Sequence, residues 1–128
     1  MMTLRFDGRD LSTYAEPIRP HELHVGAVYF FVDYVDPEML VPTMATVVCL
    51  GENLEPGDTD VVYFQDIDSY NRGVTYQGPG DGDYALFHSG SKDEINHVFS
   101  FDHAIDELLR CALRRNHTQM PPIATLVS

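Results

Sequence analysis

The stretch "VGAVYFFVDYV" (residues 25–35) carries apolar or aromatic side chains at both sets of alternating positions. Val, Tyr and Phe favour extended backbone, and the run is short for an amphipathic helix. A strand that is apolar on both faces is covered on both sides, as in the middle of a sheet or in a small barrel. Asp36-Pro37 ends the run, because proline donates no hydrogen bond and restricts the residue before it. These residues therefore predict an inner strand.

Further strands are predicted on either side of several turn-rich segments, with no helical pattern between them. They comprise residues 43–50, 61–66, 73–77, 84–88 and 95–101, with a short strand at 3–6. Strands at this spacing, joined directly by turns, are typical of an antiparallel barrel or a strongly bent sheet. The prediction is a small antiparallel β-barrel of five or six strands.

The spacing L-x-x-G-x-x-Y leads into the first long strand and is made by Leu23, Gly26 and Tyr29. In this respect the chain resembles the opening of SH3-like barrels. The resemblance implies an SH3-like β-barrel over residues 23–99, and it implies no particular activity.

A C-terminal helix is predicted over residues 100–116, which makes the fold class α+β. Ser100 suits the N-cap, and Asp106 and Arg110 are spaced for an exposed i,i+4 ion pair. The expected apolar stripe that packs on the barrel comprises Phe101, Ala104, Ile105, Leu108, Leu109 and Ala112. Residues 1–22 form an extended arm and 117–128 an uncharged tail, within a single domain covering 1–128.

Charge is the most distinctive bulk property of the chain. Eight Lys and Arg face 20 Asp and Glu, giving a net charge of −12, and residues 20–71 contain no Lys or Arg. Nucleic-acid binding needs the opposite sign, so it is excluded as the expected function. An acidic surface either keeps the protein dissolved or docks a basic protein. The candidate partner-binding residues are Glu52, Glu55, Asp58, Asp60, Asp81 and Asp83.

The cysteines and the N-terminal sequence indicate the cellular compartment. Cys49 and Cys111 lie in chemically different segments, which suits two buried thiols in a reducing cytoplasm. The N-terminus has no signal-peptide pattern, and no apolar run approaches the roughly 20 residues that span a bilayer. We expect a cytoplasmic protein without membrane association.

Metal and catalytic motifs are weak. The segment "DIDSYNRG" (residues 66–73) fails the calcium-loop spacing of the EF-hand and predicts a hairpin turn, with Gly73 at positive φ. His88, His97 and His103 could meet across adjacent strands and the start of the helix, which supports an alternative metal-binding protein or metal-dependent enzyme. No nucleophile motif and no cofactor motif is present.

These observations favour a non-enzymatic protein-interaction module. A small acidic protein of this kind could act as an inhibitor or immunity-like antagonist of a basic protein, an analogy of class only. The sequence leaves a homo-oligomer open.

Overall fold

The computed structural model describes residues 2–76 and 85–118. Within these ranges five strands form one antiparallel sheet with a C-terminal helix, so the fold is α+β. The strands are β1 (Val28–Tyr34), β2 (Pro42–Glu52), β3 (Val61–Asp66), β4 (Phe87–Ser91) and β5 (Val98–Phe99). The helices are α1 (Ile67–Asn71) and α2 (Phe101–Thr118). The order across the sheet is β4-β3-β2-β1-β5, so β1 has a partner on each side, as predicted.

Both faces of β1 are covered, which explains its continuous apolar pattern. On one face Tyr29 packs in a buried cluster with Val47, and on the other Val32 packs beneath α2. β2 pairs with β1 along its first half and then bends at an irregularity between Cys49 and Gly51. Gly51 has a φ of 137°, which residues with a side chain rarely adopt. The bend curves the sheet toward the Tyr29 face.

The strand predicted at 73–77 is wrong for residues 73–76, and position 77 lies outside the described residues. The N–H of Val74 donates to the Ser69 carbonyl at 3.0 Å, and its own carbonyl accepts the Gln65 side-chain amide at 2.9 Å. These bonds hold Val74 against the end of β3, so it cannot join a ladder.

Other predicted strands are shifted, shortened or absent. Ala85 and Leu86 of the strand predicted at 84–88 lie outside β4, which runs on to Ser91, and position 84 is outside the described residues. The strand predicted at 95–101 shrinks to β5, because Phe101 already belongs to α2. The strand predicted at 3–6 is absent. Five strands remain within the described residues.

The predicted closure into a barrel is not found, because no ladder joins β4 to β5 in the described part of the chain. The outer edge of β5 is occupied by the arm, where the N–H of Ile18 donates to the Val98 carbonyl at 2.7 Å. The sheet is nevertheless strongly curved. The Phe31 ring lies 5.1 Å from the ring of His88 in β4 and 4.9 Å from that of His97, just before β5. Residues 92–97 cross this concave face to connect the two edges.

Helix α2 confirms the predicted C-terminal helix and extends it by two residues. Ser100 caps it, since its Oγ accepts the N–H of His103 at 3.3 Å. Ala104 and Leu108 pack against Val32 and Phe99 on the convex face of the sheet. Within the described residues, no helix has both the length and the apolar character needed to cross a membrane.

The face that α2 buries is more polar than the predicted stripe. Glu107 and Arg110 are only 4% and 6% exposed, whereas Phe101 is 65% exposed. The predicted Asp106–Arg110 pair is wrong. Arg110 binds Glu107 at 3.2 Å instead, and Asp106 binds Arg9 of the N-terminal arm at 2.6 Å.

The N-terminal arm explains this burial, because it runs along α2. The Nε–H of Arg110 donates to the Ser12 carbonyl at 2.9 Å, and an Nη of Arg110 lies 3.0 Å from the Ser12 hydroxyl. Apart from a 3₁₀ turn at Pro20–Glu22, the described part of the arm lacks regular structure. Ser12 of the arm therefore supplies hydrogen-bond acceptors, in addition to Glu107, for an arginine that is almost fully buried.

The segment predicted as a hairpin turn at 66–73 forms the short helix α1 instead. Asp66 caps it, accepting the Ser69 N–H at 3.0 Å, the Ser69 hydroxyl at 2.6 Å and the Leu86 N–H at 2.8 Å. Gly73 has the expected positive φ, 86°. The carboxylate of Asp66 thus joins the end of β3 to the segment that leads into β4.

Asp66→Ala should lower the free energy of unfolding by about 1–2 kcal/mol, the usual cost of losing a helix cap. The control is Asp68→Ala, which removes an exposed carboxylate from the same helix. Urea denaturation of both variants measures the difference. Equal stability of the two would contradict the capping role.

The contribution of Asp66 should also depend on pH. Burial acts to raise the pKa of Asp66, but hydrogen bonds from Ser69 and Leu86 outweigh it and hold the pKa below its usual range. A lowered pKa in the folded state stabilises the protein above the unfolded value of about 3.9, and this stabilisation is lost as the pH falls through the folded value. The stability gap between wild type and Asp66→Ala should therefore narrow below about pH 4.

Candidate functional site

The loop between β2 and β3 carries four of the predicted partner-binding residues. Glu52 ends β2 and Asp60 directly precedes β3, and both carboxylates lie near the ammonium of Lys92, at 2.9 and 3.9 Å. Asn53 closes the loop, accepting the Val61 N–H on its side chain at 3.0 Å. The turn is tight enough that Asn53 and Asp60 adopt positive φ values of 53° and 55°. This acidic loop (residues 52–60) is therefore held in one arrangement.

Two tyrosines use the remaining carboxylates of the acidic loop. The Tyr63 hydroxyl donates to Asp58, and the Tyr76 hydroxyl donates to Glu55. The hydrogen bond to Asp58 raises the pKa of Tyr63 above its ordinary value, because ionising the phenol would break the bond and place two anions together. Asp58 also accepts the Glu55 N–H at 3.0 Å. The carboxylates thus shape the loop while Glu52, Glu55 and Asp60 remain exposed.

The other two predicted residues, Asp81 and Asp83, lie outside the described residues. Their role in partner binding therefore stays a prediction.

Four of the eight Lys and Arg side chains are used internally and away from this loop. Arg9 binds Asp106, Arg110 and Arg114 bind Glu107, and Arg115 donates to the Leu40 carbonyl. All of these contacts lie around α2. Residues 20–71 contain no Lys or Arg, and Lys92 pairs with Glu52 and Asp60 from outside this range.

The three histidines of the alternative metal site are not brought together. His88 and His97 lie against Phe31 on the concave face, whereas His103 lies on α2 with its Nε2 3.9 Å from a Glu16 carboxylate oxygen. Over residues 2–76 and 85–118, no group of three or more His, Cys, Asp or Glu is arranged to hold a metal ion. The geometry therefore offers no support for metal chemistry by this trio.

Both cysteines are free and buried. Burial raises the pKa of the Cys49 thiol, which disfavours the reactive thiolate. The buried, inert thiols predicted from the sequence are consistent with this placement.

Sequence reasoning missed a pocket of about 260 Å³ on the concave face. Phe64 forms its buried floor, and the ring of Phe31 stands beside it, 5.3 Å away and edge-on. Its rim is formed by polar and titratable side chains, namely Asp33, His88, Glu94 and His97. The alternating pattern of β1 gave one signal, because it places Asp33 on the same face as Phe31. No sequence signal indicated that residues 92–97 cross the concave face.

Comparisons with known proteins give no indication of function, so the function is inferred from the geometry and the charge distribution alone. No family model matches the chain, and neither a curated protein nor a solved structure matches it.

Proposed function

We propose that this protein is a non-enzymatic interaction module whose acidic loop binds a basic protein. The observation that carries the proposal is the charge distribution: residues 20–71 contain no Lys or Arg, and the exposed carboxylates of Glu52, Glu55 and Asp60 cluster in one ordered loop. An ordered loop of one charge sign accelerates association with a partner of the opposite sign. The same sign disfavours nucleic acid.

An inhibitor or immunity-like antagonist is the role that suits such a surface best. An antagonist must reach its target before the target acts, and electrostatic steering raises association rates toward about 10⁸–10⁹ M⁻¹s⁻¹ at low salt. The acidic loop is held by hydrogen bonds from Tyr63 and Tyr76 and by Asn53, so little ordering is needed on binding.

The finer fold assignment, a small SH3-like barrel left open on one side, belongs to the same proposal. It is supported by the meander β1 to β4, the 3₁₀ turn at Lys92–Glu94 and the return of β5 to pair with β1. The buried free thiols of Cys49 and Cys111 likewise support a reducing compartment such as the cytoplasm.

Neutralising the acidic loop tests the proposal. The variant replaces Glu52 and Glu55 with Gln and Asp58 and Asp60 with Asn, which keeps an acceptor oxygen for Tyr63 and Tyr76. A basic partner captured from native lysate and eluted by rising salt should associate about tenfold more slowly with this variant, with its dissociation rate little changed. Stopped-flow or surface-plasmon measurements give both rates.

The matched control removes four carboxylates elsewhere, at Asp7, Asp10, Glu38 and Asp68, all of which are exposed. It has the same net charge as the loop variant, so a specific role of the loop predicts a much smaller effect in the control. Equal rates in both variants would contradict the proposal. So would the capture of acidic partners only.

A further inference from the structure

The concave pocket combines an apolar floor with an acidic rim. Phe64 and Val98 are almost fully buried beneath it, and Phe31 is partly exposed at its side. Asp33, at the far end of β1, and Glu94, in the 3₁₀ turn after β4, both line it and are both exposed. Two carboxylates carried by separate elements thus border one aromatic cavity.

Neither rim carboxylate is already neutralised within the described residues. The ion pairs found there involve other acidic side chains, and the nearby Lys92 is directed to Glu52 and Asp60 instead. Asp33 and Glu94 likewise accept no side-chain hydrogen bond in that part of the chain, in contrast to Asp58 of the acidic loop. The negative charge at the pocket rim is therefore left for an external group.

The aromatic lining favours a cation over a neutral guest. The Phe31 ring contacts the rings of Phe64, His88 and His97 at centroid distances of 4.9–5.3 Å, so its position is fixed on several sides. A ring face attracts a cation through its quadrupole, and the attraction grows as water is excluded.

We propose that this pocket receives an arginine side chain of the basic partner, an inference that rests on the proposed function. A volume of about 260 Å³ accommodates one long side chain. The planar guanidinium can stack on an aromatic ring and still donate N–H bonds from its edge to carboxylates, whereas the compact ammonium of lysine has no planar face to stack. Arginine is therefore preferred over lysine, and the pocket supplies specificity where the acidic loop supplies speed.

A peptide titration tests the pocket directly. The probe is acetyl-Gly-Arg-Gly-amide, followed by two-dimensional ¹H–¹⁵N NMR, with the lysine peptide and the neutral citrulline peptide as matched probes. The arginine peptide should shift the amide signals of Phe31, Gly90 and Val98, the lysine peptide should bind several-fold more weakly, and the citrulline peptide should leave these signals in place. Shifts of equal size from the citrulline peptide, or a lysine peptide that binds as tightly as arginine, would overturn the proposal.

Variants identify the rim residues. Asp33→Asn and Glu94→Gln should each weaken the arginine peptide about fivefold, which corresponds to about 1 kcal/mol. The control Glu38→Gln, an exposed glutamate outside the pocket, should leave the affinity unchanged. Equal affinity in all three variants would contradict the proposal.

The outcomes separate the pocket from the proposed function. If the arginine peptide shifts only amides of residues 52–60, the pocket proposal fails while the acidic loop keeps its role. If the pocket variants behave as expected but the partner's association rate ignores both loop neutralisation and salt, the pocket stands and the proposed steering by the loop fails.

Discussion

Phe99→Ala should lower the free energy of unfolding by about 3–5 kcal/mol, the usual cost of emptying a buried phenylalanine site. Phe99 is 2% exposed and forms one cluster with Val32 and Ala104, which joins β5, β1 and α2. β5 has only two residues, so Phe99 is its main packing contact with the C-terminal helix. Urea denaturation followed by circular dichroism measures the loss.

The matched control is Phe101→Ala, two residues further along the chain. Phe101 is 65% exposed and meets Phe30 edge to face, with ring centroids 5.6 Å apart, so its loss should cost about 1 kcal/mol or less. Similar losses for both variants would mean that α2 does not pack on the sheet through Phe99. The midpoints should also be independent of protein concentration, as expected for a contact within one chain.

Glu107→Gln should be comparably destabilising, by about 3–5 kcal/mol. Its carboxylate accepts hydrogen bonds from Arg110, Arg114 and the Tyr34 hydroxyl, and both Glu107 and Arg110 are almost fully buried. Burial, together with the hydrogen bond to Glu107, raises the pKa of Tyr34 above its ordinary range. Neutralising the glutamate leaves the buried Arg110 charge with a weaker acceptor and only the half-exposed Glu16 carboxylate at 3.5 Å, and a poorly compensated buried charge is costly.

A second variant identifies the cause. Removing both charges, in Glu107→Gln with Arg110→Met, should cost clearly less than the sum of the two single changes, because the buried Arg110 charge is no longer left without its partner. The exposed Glu38→Gln should cost almost nothing. Additive losses in the double variant would contradict the role of charge compensation, and a loss below about 1 kcal/mol for Glu107→Gln would contradict the buried network itself.

Parts of the fold with a dense local pattern could be predicted from the sequence. β1 and β2 carry long β-branched and aromatic runs, and α2 has a capping Ser100 followed by 18 helical residues. Shorter segments failed because tertiary contacts outweigh local preference. In the segment predicted as a strand at 73–77, the Val74 carbonyl accepts a hydrogen bond from the buried Gln65 side chain, and the Val74 N–H donates to Ser69. Val74 therefore has no free backbone groups for a neighbouring strand.

The polar face of α2 could not be predicted from the sequence for the same reason. A pattern of apolar residues assigns Arg110 to solvent, yet its acceptor Ser12 lies 98 positions earlier in the chain. No local sequence pattern indicates that the N-terminal arm covers this face of α2. The apolar stripe was consequently placed too far toward Phe101, which is largely exposed.

One part of the candidate site could be predicted from the sequence and the other could not. The acidic loop follows from composition, since absence of Lys and Arg over residues 20–71 is visible in the sequence. The pocket required Phe31, His88 and His97 to meet, and these residues come from three separate segments that only the curved sheet brings together. The histidines were therefore grouped with His103 as a metal site instead of with an aromatic ring.

The measurement that tests the central claim most directly is the association rate of the captured basic partner over a series of salt concentrations. Interactions between exposed charges are screened over about 8 Å at physiological ionic strength. The account predicts a rate that falls steeply with added salt for the wild type and much less steeply for the variant neutralised at Glu52, Glu55, Asp58 and Asp60. A rate that ignores salt, or equal slopes for the two proteins, would contradict it.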